Sequence, residues 1–299
     1  MRVAIAFVLL CPSLAFSQPT AAQKKETVKW ITALEAPDGG FYLAPQDPKL
    51  DAAPRPMLRA TNGAVRALKY LGFPMLKGER EKHAAFVLKC YDPKTGGFAE
   101  PGGKPDVTMT SIGVMAAAEW GSPHAQYAKA MDYLKENAKT FEEVRIGAAA
   151  VEAWGVKDCP FKLDEWVKVA TGFAAEPNPK EDPARGAGSA VAMLLRLGQE
   201  LPLNFALAQP IIAARQRKDG GWGKEEEGMS DIETTYRVMR ALMLLKEKPK
   251  DTKKLREFID SHRNKDGGYA TKPGDPSSMS GAYYCVIVSK WLDDMEAKK

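Results

Sequence analysis

Two acidic residues stand two apart at the head of an apolar run: Asp231 and Glu233, before Thr234-Thr235-Tyr236-Arg237-Val238-Met239. Two carboxylates and a water can hold a hard cation. The same pair, with Asp106 as a third candidate, can act as acid and base in hydrolysis of a glycan. Trp222, Tyr236 and Tyr283 offer flat apolar faces on which a ligand can stack or against which a cavity can close. Each of these residues also has a plain structural account. An acidic side chain at a helix start caps unpaired N–H groups, and large aromatics pack cores. Sulfur chemistry is not indicated. Past the N-terminal stretch, Cys90, Cys159 and Cys285 are odd in number and widely spaced, and no Cys-x-x-Cys occurs. That pattern fits buried thiols better than a disulfide framework.

The elements that position these residues come from a repeat. Asp219-Gly220-Gly221-Trp222 precedes a polar loop and then the run from Asp231. Asp266-Gly267-Gly268-Tyr269 precedes Ser277–Val286, Gly96-Gly97-Phe98 precedes Asp106–Met115, and Asp38-Gly39-Gly40-Phe41 precedes Leu58–Val65. The unit is a Gly-Gly-aromatic turn, a polar loop and a helix rich in small residues. The Asp can hydrogen-bond its own backbone and stop the incoming helix. The glycines allow positive φ and a close approach of other chain. The aromatic is an apolar anchor.

Between residues 142 and 198 the Gly-Gly turn is lost but the helical spacing persists. Six small-residue helices are expected to begin near 58, 106, 142, 184, 231 and 278. They alternate with six amphipathic ones beginning near 23, 79, 123, 163, 203 and 252. No stretch alternates with period two for long enough to be a strand. The first set is apolar or small nearly all round, as a helix covered on both sides must be; the second keeps one charged face. Two alternating classes make an inner and an outer ring, an all-α α6/α6 toroid, or else an open solenoid. Six units of about 45 residues favour closure, which hides both ends. His83, His124 and His262 all fall on outer segments, so no imidazole is expected in the central space.

The 299 residues are 44% hydrophobic and 27% charged, an ordinary globular composition. A net charge of +5 from 43 basic and 38 acidic residues is too mild and too evenly spread for nucleic acid. At the N-terminus Arg2 precedes an almost wholly apolar Val3–Cys11, Pro12 breaks the run, and Ala15-Phe16-Ser17 offers a small-residue cleavage site. Residues 1–17 are expected to be a signal peptide, with cleavage near Ser17. Residues 18–299 are then a single toroid domain, exported to a periplasmic or extracellular space. Beyond this stretch nothing is long and apolar enough to span a membrane.

Gln216-Arg217-Lys218-Asp219-Gly220-Gly221-Trp222, followed by Asp231 and Tyr236, resembles the repeat shared by protein prenyltransferase β subunits and by squalene and oxidosqualene cyclases. Gln216, Gly220 and Trp222 match the Gln-x-x-x-Gly-x-Trp core of the cyclases. The resemblance spans about residues 25–295. It implies the toroid, a central apolar cavity and an isoprenoid or other apolar ligand. It also implies transferase chemistry, a protein partner in the manner of the β subunits, and zinc. Carried over position by position, Asp231 matches a zinc-binding Asp, Glu233 stands where the Cys belongs, and Ser280 stands where the His belongs. The basic residues that hold a diphosphate would fall near Glu225 and Gly228, and neither is basic; the acid motif of the cyclases is absent. If the chain is catalytic, Asp231 and Glu233 carry the metal or acid role, and Trp222, Tyr236, Tyr283 and Asp106 line the cavity. The leading expectation is an exported isoprenoid transferase or isoprenoid binder. The alternatives are a non-catalytic repeat scaffold and a periplasmic (α/α)6 carbohydrate-active enzyme.

Overall fold

The structure is a computed structural model that describes residues 18–45, 55–175, 182–205, 208–225 and 228–297. The expected signal peptide, residues 1–17, lies outside the described residues. Twelve α-helices follow one another among them: α1 Ala21–Thr32, α2 Leu58–Tyr70, α3 Lys77–Lys89, α4 Val107–Glu119, α5 Lys129–Asn137, α6 Phe141–Trp154, α7 Asp164–Ala175, α8 Pro183–Arg196, α9 Ala208–Ala214, α10 Ile232–Leu245, α11 Thr252–Asp260 and α12 Met279–Ala297. There is no strand among the described residues, only isolated bridges such as Tyr91 with Phe98 at the turns.

The even-numbered helices form the inner ring. Each packs on the next, from α2 through α4, α6, α8 and α10 to α12, and α12 packs back on α2. That last contact closes the ring and makes the chain a toroid rather than a solenoid. The odd-numbered helices lie outside. Side chains that meet between adjacent inner helices sit at matching heights: Tyr236 with Tyr283, Lys69 with Glu119, Arg196 with Glu152. The inner helices are therefore parallel, and their N-termini share one end.

The turns show why the repeat has its residues. The Asp of each turn accepts a backbone N–H two residues on: Gly40 to Asp38 at 3.1 Å, Gly221 to Asp219 at 3.1 Å and Gly268 to Asp266 at 2.9 Å. The aromatics Phe41, Phe98, Trp222 and Tyr269 are buried between the rings. Losing a side chain of this kind costs about 3–5 kcal/mol. A further link ties turn to helix. The N–H of Phe41, Phe98 and Trp222 donates to the hydroxyl of Thr61, Thr110 and Thr235, at 2.9, 3.0 and 3.0 Å. In each case the Thr is the fourth residue of the inner helix that follows. Gln216 joins the turn to the next outer helix: its Nε2 donates to the carbonyls of Gly220 and Asp251, and its Oε1 accepts the Asp251 N–H at 2.7 Å.

Two outer helices begin later than the periodicity predicts. The one expected near 123 opens as a 3₁₀ turn, His124–Gln126. Tyr127 then leaves helical backbone, with its ring enclosed by Phe98, His124 and Trp154. The one expected near 203 opens as the 3₁₀ turn Leu203–Phe205, and α9 starts at Ala208. Pro210 has no N–H to give and is tolerated only in a first turn.

Two substitutions test the backbone. Gly220 has φ +96°, and an added Cβ would lie 2.2 Å from the backbone carbon of Lys254. Gly220→Ala is expected to cost about 2–4 kcal/mol in denaturant unfolding. Lys246, the only non-glycine with positive φ among the described residues, holds a left-handed cap at φ 61°. Lys246→Gly is expected to stabilise by about 1 kcal/mol.

Candidate functional site

The inner ring encloses a cavity of about 390 Å³, within the range of small-molecule sites. Because the inner helices are covered by neighbours on both flanks, a polar side chain within one has a favourable place only toward this space or at the helix ends. The first turns supply Arg59 from α2, Glu142 and Glu143 from α6, Glu233 from α10 and Ser280 from α12. The walls are Ile112, Met115, Ile146, Ala149 and Met279. Deeper along the helices stand Tyr236, Arg240, Tyr283 and, as the last residue of α8, Arg196. The apolar cavity implied by resemblance is thus corrected to an amphiphilic one. Small and aliphatic side chains make its walls, and arginines reach in from most of the inner helices.

Near the N-terminal end Arg237 joins two helices that are not neighbours. Its Nη1 donates to both carboxylate oxygens of Glu142 on α6 (3.0 and 3.1 Å), and its Nη2 to Glu233 on its own helix (2.7 Å). Arg145 adds a second ion pair to Glu142 at 3.0 Å, and Lys224 faces Glu233 at 3.9 Å. Burial acts to raise the Glu142 carboxyl, but Arg145 and Arg237 outweigh it and hold the group below its ordinary value. Glu233 is likewise held down against its burial, chiefly by Arg237. The same two carboxylates hold the Arg237 guanidinium above its ordinary value against burial.

The deeper group is cationic and aromatic. The Tyr236 hydroxyl lies 3.1 Å from that of Tyr283. The Tyr236 ring stacks on Trp291 at 5.4 Å, and the Arg240 guanidinium sits 4.6 Å from the Trp291 ring. Burial acts to raise the Tyr236 phenol, but Arg240, Arg66 and Arg196 together hold it well below its ordinary range. Burial, with Tyr236 beside it, pushes Tyr283 up. The pair therefore carries a phenol and a readily formed phenolate in one hydrogen bond. Burial and the neighbouring Arg240 bring the Arg196 guanidinium down to about 10.

Of the residues singled out by sequence, the structure places Glu233, Tyr236 and Tyr283 on the cavity lining. Asp231 and Asp106 are N-caps, with carboxylates that accept the N–H of Thr234 at 2.8 Å and of Met109 at 2.7 Å. Trp222 does not face the cavity. It is fully buried between the rings and donates its indole N–H to the Ile212 carbonyl on α9 at 3.0 Å. The zinc implied by resemblance does not fit these residues. Asp231 is engaged as a cap and Glu233 is ion-paired to Arg237, so a metal would meet a guanidinium. Among the described residues no group of three or more His, Cys, Asp or Glu could hold an ion. Around the loop 223–230, Arg217 donates to the carbonyls of Gly228 and Glu225 and so serves the loop itself.

Arg66, Arg145, Arg196, Arg237, Arg240 and Glu142 were not anticipated. A signal for them exists: Arg59 with Arg66, and Arg237 with Arg240, stand seven and three apart in helices otherwise small and apolar, and so share a face.

The prenyltransferase α/α toroid domain matches the sequence over residues 2–157 and 162–298. The chain belongs to that family. No curated protein sequence matches it. Among solved structures, the toroid is similar to Candida albicans protein geranylgeranyltransferase-I complexed with GGPP, with a TM-score of 0.63 and 12% identity over 89% of this chain and 90% of that one. It is similar to a glycosidase variant in complex with glucose, with a TM-score of 0.61 and 12% identity over 92% and 96%. It also resembles a type II terpene cyclase variant from Scytonema bound to geranylgeranyl dihydroxybenzoate, with a TM-score of 0.58 and 11% identity over 92% and 97%. At these identities the likeness is one of fold. No helix among the described residues is long and apolar enough to cross a membrane.

The prenyltransferase-type ring makes its Glu142–Arg237–Glu233 bridge measurable through acid stability. Carboxyls lowered in the folded state stabilise it above the unfolded value of about 4.3, and that contribution is lost as pH falls through the folded values. Arg237→Gln is expected to reduce the steepness of acid destabilisation in this window. The reduction is modest, because the Glu142 side chain is 48% exposed. Urea unfolding at a series of pH values checks it.

Proposed function

We propose that the protein is an exported isoprenoid-binding toroid of the prenyltransferase type that does not perform zinc-dependent transfer. The observation that carries this reading is the closed inner ring around a cavity of about 390 Å³ with aliphatic walls. Ile112, Met115, Ile146 and Met279 offer a branched apolar chain contact on several sides. Two toroids of similar fold hold geranylgeranyl compounds, which supports the same ligand class. The charged apolar leader Arg2–Cys11 supports action outside the cytoplasm, away from the usual pool of prenyl diphosphates. The engaged carboxylates of Asp231 and Glu233 argue against a metal and hence against transfer.

The competing reading is hydrolysis of a glycan, favoured by the likeness to a glycosidase over 92% of the chain. It calls for one carboxyl that stays protonated near neutrality as general acid. Glu142 and Glu233 are both held in the ionised form by guanidiniums, so neither meets that demand.

The mature chain, mixed with geranylgeraniol and examined by native mass spectrometry, is expected to carry one isoprenoid per molecule. Ala149→Phe, which fills the cavity from α6, is expected to abolish the adduct while helical circular dichroism is kept. An adduct insensitive to Ala149→Phe, or none with the unaltered chain, removes the isoprenoid reading. Glycan cleavage lost in Glu233→Gln would put hydrolysis in its place.

A further inference from the structure

The inner end of the cavity holds more positive charge than the protein itself neutralises. Arg66 on α2, Arg196 on α8 and Arg240 on α10 all act on the Tyr236 phenol. The facing carboxylates are few. Glu152 on α6 lies 3.3 Å from the Arg196 Nε, and Glu119 on α4 is ion-paired to Lys69. The other titratable groups facing Tyr236 are Tyr283 and Tyr284 on α12 and Arg145 on α6, and Tyr70 on α2 acts on Arg66. Arg66 has a contact from Nη1 to the sulfur of Met115 at 3.6 Å. Arg240 is the sharpest case. It is 6% exposed, its Nε and Nη2 are buried without a hydrogen-bond partner, and its guanidinium lies on the face of Trp291 beside the Tyr236 phenol. A buried guanidinium with unmade hydrogen bonds is costly, and a bound acceptor relieves that cost.

We propose that Arg240, with Arg66 and Arg196, forms a binding site for one oxyanion group, a carboxylate or a phosphate, at the inner end of the cavity beside Tyr236 and Tyr283. Guanidinium forks match planar carboxylates and phosphate oxygens, and Arg196 and Arg240 line the cavity here together with Tyr236 and Tyr283. The site lies several turns into the inner helices, away from the loop 223–230 where the family resemblance would put a diphosphate. Tyr236, in a hydroxyl contact with Tyr283 at 3.1 Å and beside three guanidiniums, is favoured to give up its proton and so to offset part of their charge. An arriving oxyanion takes over that role, so Tyr236 recovers a proton from solvent as the ligand binds. The site therefore couples anion binding to proton uptake. It needs a ligand that enters the cavity but not an isoprenoid tail.

The test uses the mature chain and two probes, inorganic phosphate and acetate, in calorimetric titrations at mildly alkaline pH, with the tyrosinate absorption band followed in parallel. At least one probe is expected to bind once per chain and to diminish the tyrosinate band. The stronger probe tells phosphate from carboxylate. Arg240→Met is expected to weaken binding by about tenfold or more while leaving the melting temperature unchanged or raised, because the guanidinium it removes left two buried N–H groups without acceptors. A purely structural Arg240 would instead lower the melting temperature and leave anion binding intact. Tyr236→Phe is expected to keep the binding and lose the change in absorption. Arg66→Met serves in the same way should Arg240→Met fail to fold. Saturation by neither probe, or binding unaltered in both arginine variants, overturns the site. Anion binding in a protein that takes up no geranylgeraniol leaves the site standing and removes only the isoprenoid reading.

Discussion

Covering the inner helices on two flanks is the constraint from which the rest of this molecule follows. Once α12 packs on α2, every inner helix has a neighbour on each side, and α2, α4, α6, α8 and α12 each pack on an outer helix as well. Only the side toward the central space can hold a charge without burying it against apolar groups. Small residues fill the flanks because the helices must approach closely. The long polar side chains on those helices are then gathered in one place by exclusion from everywhere else. The cavity's charged character is a product of ring closure as much as of any local motif.

The same closure explains why the turns are built as they are. A ring has no free end to absorb misfit, so each turn must deliver its helix at the correct height. The aromatic anchor sets the depth, and the hydrogen bond from its N–H to Thr61, Thr110 or Thr235 sets the register of the inner helix. In the last repeat the corresponding position is Ala282, so the hydroxyl link is missing and only the backbone bond from the Ser278 N–H to the Tyr269 carbonyl remains, at 2.9 Å. The repeats of Phe41 and Trp222 have that backbone bond as well, from Met57 and Asp231, both at 2.9 Å. The middle repeats lack the Gly-Gly turn, and there capping does the work: Thr140 and Glu143 form a reciprocal box before α6, and Asp182 caps α8.

The fold was legible in the sequence because its causes are local and repeated. Helical period, small-residue content and the Asp-Gly-Gly-aromatic turn recur often enough for the ring number and helix order to be read before any coordinates. Boundaries failed where a single residue overrode the period, as with Pro210 and with Tyr127, whose ring is held by three others. The site was less legible. Asp231 and Asp106 look catalytic by type and spacing, yet a carboxylate at a helix start meets unpaired N–H groups first. Trp222 looks like a ligand platform, yet its indole lies between the rings. Arg240 went unnoticed because an arginine in a helix reads as a solvated face. Only closure of the ring turns that face inward.

The arginines at the inner end bear on what kind of site this is. A protein that needed only a packed core would lose little by replacing Arg240 with an apolar side chain of similar length, since the guanidinium makes few contacts beyond the Trp291 face. Stability argues for the apolar residue and against three like charges brought together. Burial, with Arg240 beside it, lowers Arg196 itself, in the direction expected for a buried cation next to another cation. The cost is partly offset by the Tyr236–Tyr283 pair, which can hold negative charge but only by giving up a proton. Such an arrangement is poised: its cheapest relief is an anion that brings its charge with it. Charges that cost the fold stability in this way mark the part of the ring suited to a ligand rather than to folding alone.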